Sequence, residues 1–252
     1  MALKKIGLQT VKFQNPPSIV STYTIVGPKE GEGPLKDYFD YILEDDTWGQ
    51  ASFEKAEAKI QEETIKAAIT NGNLTNQDID YLLAGDLLNQ IISSTYTARQ
   101  LSIPYYGLYG ACSTMTESLS LGAMLIDGGF ADKVVCATSS HFSSAERQFR
   151  FPLEYGSQRN FSAQWTVTGA GATILSSSGD GPYITYATTG KIVDKGIKDA
   201  SNMGAAMAPA AVDTLLTHYK DTGFSPADYD LIITGDLGKV GKAIVLDLMK
   251  KE

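Results

Sequence analysis

The sequence predicts an α/β fold built from a duplicated unit, with the second copy cut short. Two observations carry this reading. Short apolar segments suited to strands buried on both faces alternate with helical segments along the chain. One helix-plus-strand pattern then recurs, with Gly85 and Gly235 at matching positions 150 residues apart (235 − 85). The 252 residues, 43% of them hydrophobic, are enough to bury a large core without metals or disulfides.

The elements follow in order. Pro16 to Gly27 (PPSIVSTYTIVG) is β-rich and closed by glycine, which predicts the first strand. The polar stretch from Gly27 to Gly49, with Pro34 and the acidic run Glu44 to Asp46, reads as a surface insertion. Phe53, Ala56, Ile60, Thr64, Ala67 and Ala68 recur at three- and four-residue steps, so a helix begins at Ser52 and stops at Gly72. Asp80 to Asp86 (DYLLAGD) is a short strand ending in Gly-Asp, and Lys133 to Thr138 and Ala170 to Leu175 are further buried strands. A helix spans Met203 to Tyr219. Asp230 to Asp236 (DLIITGD) repeats the earlier strand, and both copies are preceded by a helix, a glycine (Gly72, Gly223) and a turn (Leu74-Thr75, Phe224-Ser225). The first copy continues for about 90 residues past Asp86, so roughly 75 residues of the second copy are expected to be missing. The predicted halves are 1–180 and a partial 181–252.

Bulk properties exclude several functions. The two cysteines, Cys112 and Cys136, each lie in an apolar stretch, which argues against a disulfide framework and for a reducing compartment. The N-terminus lacks a signal-peptide core, and no run approaches the ~20 apolar residues of a membrane span. A net charge of -8 argues against nucleic acid as a partner. Metal-ligand spacing is missing, and Gly169-Ala-Gly171 lacks the rest of either nucleotide fingerprint, so neither metal nor cofactor is expected.

The segment Tyr106-Gly-Leu-Tyr-Gly-Ala-Cys112-Ser-Thr-Met-Thr-Glu117 carries the chemistry. An apolar strand runs into Gly110, and a helix starts after Cys112 with Thr114 and Glu117 in capping-box spacing. A thiol at a helix N-terminus is favoured as thiolate, as a nucleophile requires, and the same amides could instead hold a ligand carboxylate. Cys136, within Val-Val-Cys-Ala, reads as a small buried hydrophobe.

Gly110-Ala-Cys-Ser-Thr114 resembles the nucleophile elbow of thiolases and ketoacyl synthase III enzymes. Ala84-Gly-Asp-Leu87 with Asn89-Gln90, Ser139-Ser-His141, Gln148-Phe-Arg150, Glu154-Tyr-Gly156, Ala163 to Gly171, and Asn202-Met-Gly204 with Met207-Ala-Pro209 resemble the stage V sporulation protein AD family over essentially the whole chain. The chain departs from that pattern at Met115 to Ser118 and at Gln50-Ala51. The resemblance implies a thiolase-like duplicated αβαβα fold, a homodimer, and association with other stage V sporulation membrane proteins. It also implies binding of dipicolinic acid, or its calcium chelate, for uptake into the developing spore. The expected location is cytoplasmic or peripheral on the forespore inner membrane, with no secretion.

Acyl transfer would need a histidine beside Cys112 as well as the thiol. His141 follows a strand and could stand at its C-terminal end near Cys112, where ligands bind in such sheets. His218 sits late in the helix ending at Tyr219. Three of the four arginines, Arg147, Arg150 and Arg159, fall close together among aromatic residues, chemistry suited to an aromatic dicarboxylate. The expected ligand-binding set is Cys112, His141, Arg150 and Trp165, with Arg150 meeting a carboxylate and Trp165 stacking. Cys112 and His141 would be the catalytic pair if the chain were an acyltransferase. An architectural subunit of a membrane transport complex is the remaining alternative.

Overall fold

The computed structural model describes residues 3–149, 162, 164–199 and 202–251. They fall into two compact units, Asn15–Tyr155 with Thr166–Ile184, and Met1–Gln14 with Gly156–Trp165 and Thr185–Glu252. The short strand β1 (Thr10–Lys12) pairs antiparallel with β8 (Tyr186–Thr188), which draws the N-terminal residues into the second unit.

The larger unit holds a six-stranded mixed sheet made of β2 (Ser18–Val26), β3 (Tyr41–Ile42), β4 (Tyr81–Gly85), β5 (Tyr105–Gly107), β6 (Lys133–Ser140) and β7 (Gly169–Ser176). Their order is β3-β2-β7-β6-β4-β5, with β7 antiparallel to both β2 and β6, and β4 parallel to β5 and β6. Among the described residues four α-helices belong to this unit: α1 (Phe53–Asn71), α2 (Ile92–Leu101), α3 (Thr114–Asp127) and α4 (Phe142–Phe149). Ser52 opens α1 by accepting the Lys55 N–H at 3.3 Å, as the sequence predicts.

Strand side chains alternate between two apolar faces. Leu82, Ala84, Val135, Ala137, Ala172 and Ile174 pack with Ile65, Ala68 and Ile69 of α1 and with Ala98 and Leu101 of α2. Their neighbours Leu83, Val134, Cys136 and Leu175 pack with Ile126 of α3. The result is a helix–sheet–helix sandwich, which is why these strands read as continuous apolar runs.

The smaller unit contains β1, β8, α5 (Met203–Thr222) and α6 (Gly238–Met249), with Ala208, Val212, Leu237 and Val245 as its core. Asp221 of α5 accepts the backbone N–H groups of Leu8, Gln9 and Thr10 at 3.0–3.1 Å.

The predicted repeat is realised in part. Thr75 with Asp78, and Ser225 with Asp228, form equivalent reciprocal capping boxes after α1 and α5. The strand does not recur. Residues 230–236 form none, and Leu231 and Ile233 are 71% and 80% exposed. β4 is a strand because β5 and β6 bond it from both sides, whereas among the described residues no strand pairs with 230–236. Among the described residues no helix is long and apolar enough to cross a membrane.

Candidate functional site

The elbow is built at the end of β5. Leu108 donates its N–H to the Ala84 carbonyl at 2.9 Å, and its own carbonyl lies so close to Gly85 that a side chain there would overlap it. Ala111 then takes a left-handed conformation at φ 48°, a strained choice for a residue with a Cβ. Residues Ala111–Ser113 make one 3-10 turn, α3 begins at Thr114, and the Cys112 thiol is exposed at its head. The expected Thr114–Glu117 capping box does not form. The 3-10 turn moves Thr114 into the first helical position, where its hydroxyl is buried without a hydrogen-bond partner. Cys136 is buried, donates to the Ser118 carbonyl at 3.2 Å, and burial pushes its thiol up to about 12.

His141 follows β6, as expected, but is fully buried. The Ser143 N–H can only donate, which makes Nδ1 its acceptor at 3.1 Å. Nε2 therefore carries the proton and donates to the Asp46 carbonyl at 2.7 Å, while the ring packs on Phe53 at 5.1 Å. Both nitrogens are occupied by backbone, so His141 anchors the loop at Asp46. His218 belongs to the smaller unit, where it bonds Thr188 at 2.7 Å and the Tyr229 hydroxyl. Arg150 and Arg159 lie outside the described residues. Trp165 is 37% exposed and is counted with the smaller unit, whereas Cys112 and His141 belong to the larger.

A cavity of about 910 Å³ opens in the larger unit. Its lining includes Glu54, Asn89, Gln90, Thr95, Ser144 and Tyr109, the last only three residues before Cys112. Gln90 and Ile91 are consecutive left-handed residues (φ 56° and 47°), and for a β-branched isoleucine this is an outlier. Asp86 holds the loop that carries them, accepting the Leu88 N–H and the Ser94 N–H and hydroxyl at 2.8 Å each. Burial raises its carboxyl above the ordinary range against these bonds.

Behind the wall lies a second buried acid. Glu57 of α1 meets Ser139 at 3.1 Å and Ser144 at 2.9 Å. Burial, and then the neighbouring Asp86, push its carboxyl up to about 8. Sequence reasoning missed Glu57, Asp86 and Ser144 as site residues. Glu57 had left a signal, since it stands three residues before Ile60 and beside Ala56, an acid on the buried stripe of α1.

The family model for Stage V sporulation protein AD matches residues 7–252. Stage V sporulation protein AD of Bacillus subtilis (strain 168) is 48% identical over 250 residues, covering 99% of this chain and 74% of that protein. Among solved structures, OleA of Xanthomonas campestris superposes with a TM-score of 0.70 at 13% identity, over 95% of this chain and 82% of its own. The 3-oxoacyl-(acyl carrier protein) synthase III of Xanthomonas oryzae pv. oryzae gives 0.65 at 13% identity, over 95% and 83%. At such identities these likenesses establish a thiolase-like fold.

Proposed function

The chain belongs to the stage V sporulation protein AD family, and from that premise we propose that it binds dipicolinic acid, alone or as its calcium chelate, for uptake into the developing spore. The observation that carries a binding role rather than catalysis is the state of His141. Its two ring nitrogens are spent on the Asp46 carbonyl and the Ser143 N–H, which leaves the Cys112 thiol without that base. The cavity supports the reading by its size, that of a small-ligand site, and its lining sets the amides of Asn89 and Gln90 and the hydroxyls of Thr95, Tyr109 and Ser144 beside the Glu54 carboxylate and the apolar Leu88 and Ile92. In this proposal Cys112 and Arg150 contribute to the ligand site, Arg150 clamping a carboxylate. The protein would act as a homodimer with other stage V sporulation membrane proteins, peripheral on the forespore inner membrane.

Calorimetric titration of the protein with dipicolinic acid, with and without calcium, tests this. Saturable binding that weakens in Cys112→Ala and Arg150→Ala is the expected result, and no binding by a well-folded chain would sink it. One observation favours a second reading, acyl transfer, because Cys112 is exposed at the head of α3. Covalent labelling of Cys112 by an acyl-CoA would establish that reading instead.

A further inference from the structure

The Ser144 hydroxyl has one proton and two oxygen neighbours, Glu57 Oε2 at 2.9 Å and the His141 carbonyl at 3.2 Å. If Glu57 were a carboxylate, Ser144 would turn its one proton to Glu57 and leave the His141 carbonyl to the Ala145 N–H, which it accepts at 3.0 Å. A proton on Oε2 closes the chain: Glu57 donates to Ser144, Ser144 donates to His141, and Ser139 donates to Oε1 at 3.1 Å. The surroundings favour the same form. Glu57 is fully buried, and the described charges acting on it, Asp86 from the loop after β4 and Glu54 from its own helix, are both negative. From β6 and α4 it meets the neutral Ser139 and Ser144. Ser144 and Glu54 in turn line the cavity.

We propose that Glu57 is a positioning residue of the cavity, a neutral acid that fixes the Ser144 hydroxyl in the wall, so that the site accepts an anionic ligand only while Glu57 keeps its proton. The inference rests on the ligand-binding reading above and adds its regulation. Loss of the proton turns the Ser144 hydroxyl from His141 towards Glu57 and places a further negative charge beside Asp86 and Glu54. The added charge opposes a dicarboxylate.

Glu57→Gln provides the test, since the amide keeps an oxygen for Ser139 and an N–H for Ser144 but does not ionise. The first arm needs no ligand. An unfolded glutamate releases its proton near the ordinary value of 4.5, whereas the folded one keeps it to about 8. Between those values deprotonation favours the unfolded chain, so wild-type stability in urea falls relative to Glu57→Gln as pH rises, and the two curves run parallel above them. Curves parallel throughout would overturn the proton assignment.

In the second arm, dipicolinic acid is titrated at about pH 6 and about pH 9. Wild-type affinity should fall roughly tenfold as the competent fraction falls, while Glu57→Gln stays level. An equal fall in both proteins overturns the positioning role. The stability difference with no dipicolinate binding at either pH refutes the ligand-gating half and the binding reading together, while supporting the proton on Glu57. The two failures are thereby distinguished.

Discussion

One oxygen of Asp86 accepts both the backbone N–H and the hydroxyl of Ser94, each at 2.8 Å. The other takes the Leu88 N–H at the same distance. Between these anchors the chain passes through Gln90 and Ile91, both left-handed. Strain of this kind costs on the order of 1–3 kcal/mol per residue and persists only where its surroundings enforce it. Here one buried carboxylate does so, and Gln90 enters the cavity lining as a result.

Asp86→Ala should therefore cost about 3 kcal/mol of stability in denaturant titrations, because it leaves the buried Ser94 N–H and hydroxyl without their acceptor. The same variant should lose the ligand site along with the loop conformation. A loss below about 0.5 kcal/mol, the range of an ordinary surface substitution, would show that the loop holds without Asp86.

The two thiols should differ sharply in reactivity. Cys112 is exposed and Cys136 is buried, its thiol pushed up to about 12. Brief iodoacetamide treatment of the native protein should add one adduct, mapped to Cys112 by mass spectrometry, with the second appearing only on unfolding. Early modification of Cys136 would contradict the packing of β6 against α3.

Burial lowers the imidazole of His218 below its ordinary value of 6.5, with Asp221 opposing the shift. The unfolded chain thus takes up a proton first as the solution is acidified, and stability should decline as pH falls through 6.5 towards the folded value. His218→Gln should flatten that part of the pH–stability profile. An unchanged slope would assign it to other groups.

Gly85→Ala should be severe for a small substitution, since the added methyl meets the Leu108 carbonyl where β4 touches the elbow. A loss of about 1–3 kcal/mol is expected, with Cys112 labelling altered as the elbow shifts. A variant as stable as wild type would mean that the elbow yields freely.

Much of the architecture was legible because it depends on local periodicity. The stripe from Ala56 to Ala68 specifies α1, and runs such as Lys133 to Thr138 specify strands covered on both sides. The elbow around Cys112 was legible for the same reason, a glycine-flanked strand meeting a helix. The Thr114–Glu117 spacing misled, because a capping box also depends on where the preceding turn ends, and the turn at Ala111 displaces it by one position.

The sequence by itself determined the alternation of buried strands and helices, the position of the exposed thiol and the family, since each is written in neighbouring residues. Only the tertiary structure decided that both His141 nitrogens are spent on backbone, that Glu57 and Ser144 are hydrogen-bonded across 87 residues, and that DYLLAGD is a strand while DLIITGD is not. Hydrogen-bond partners and burial come from segments distant in sequence, and a strand exists only where a neighbour bonds it.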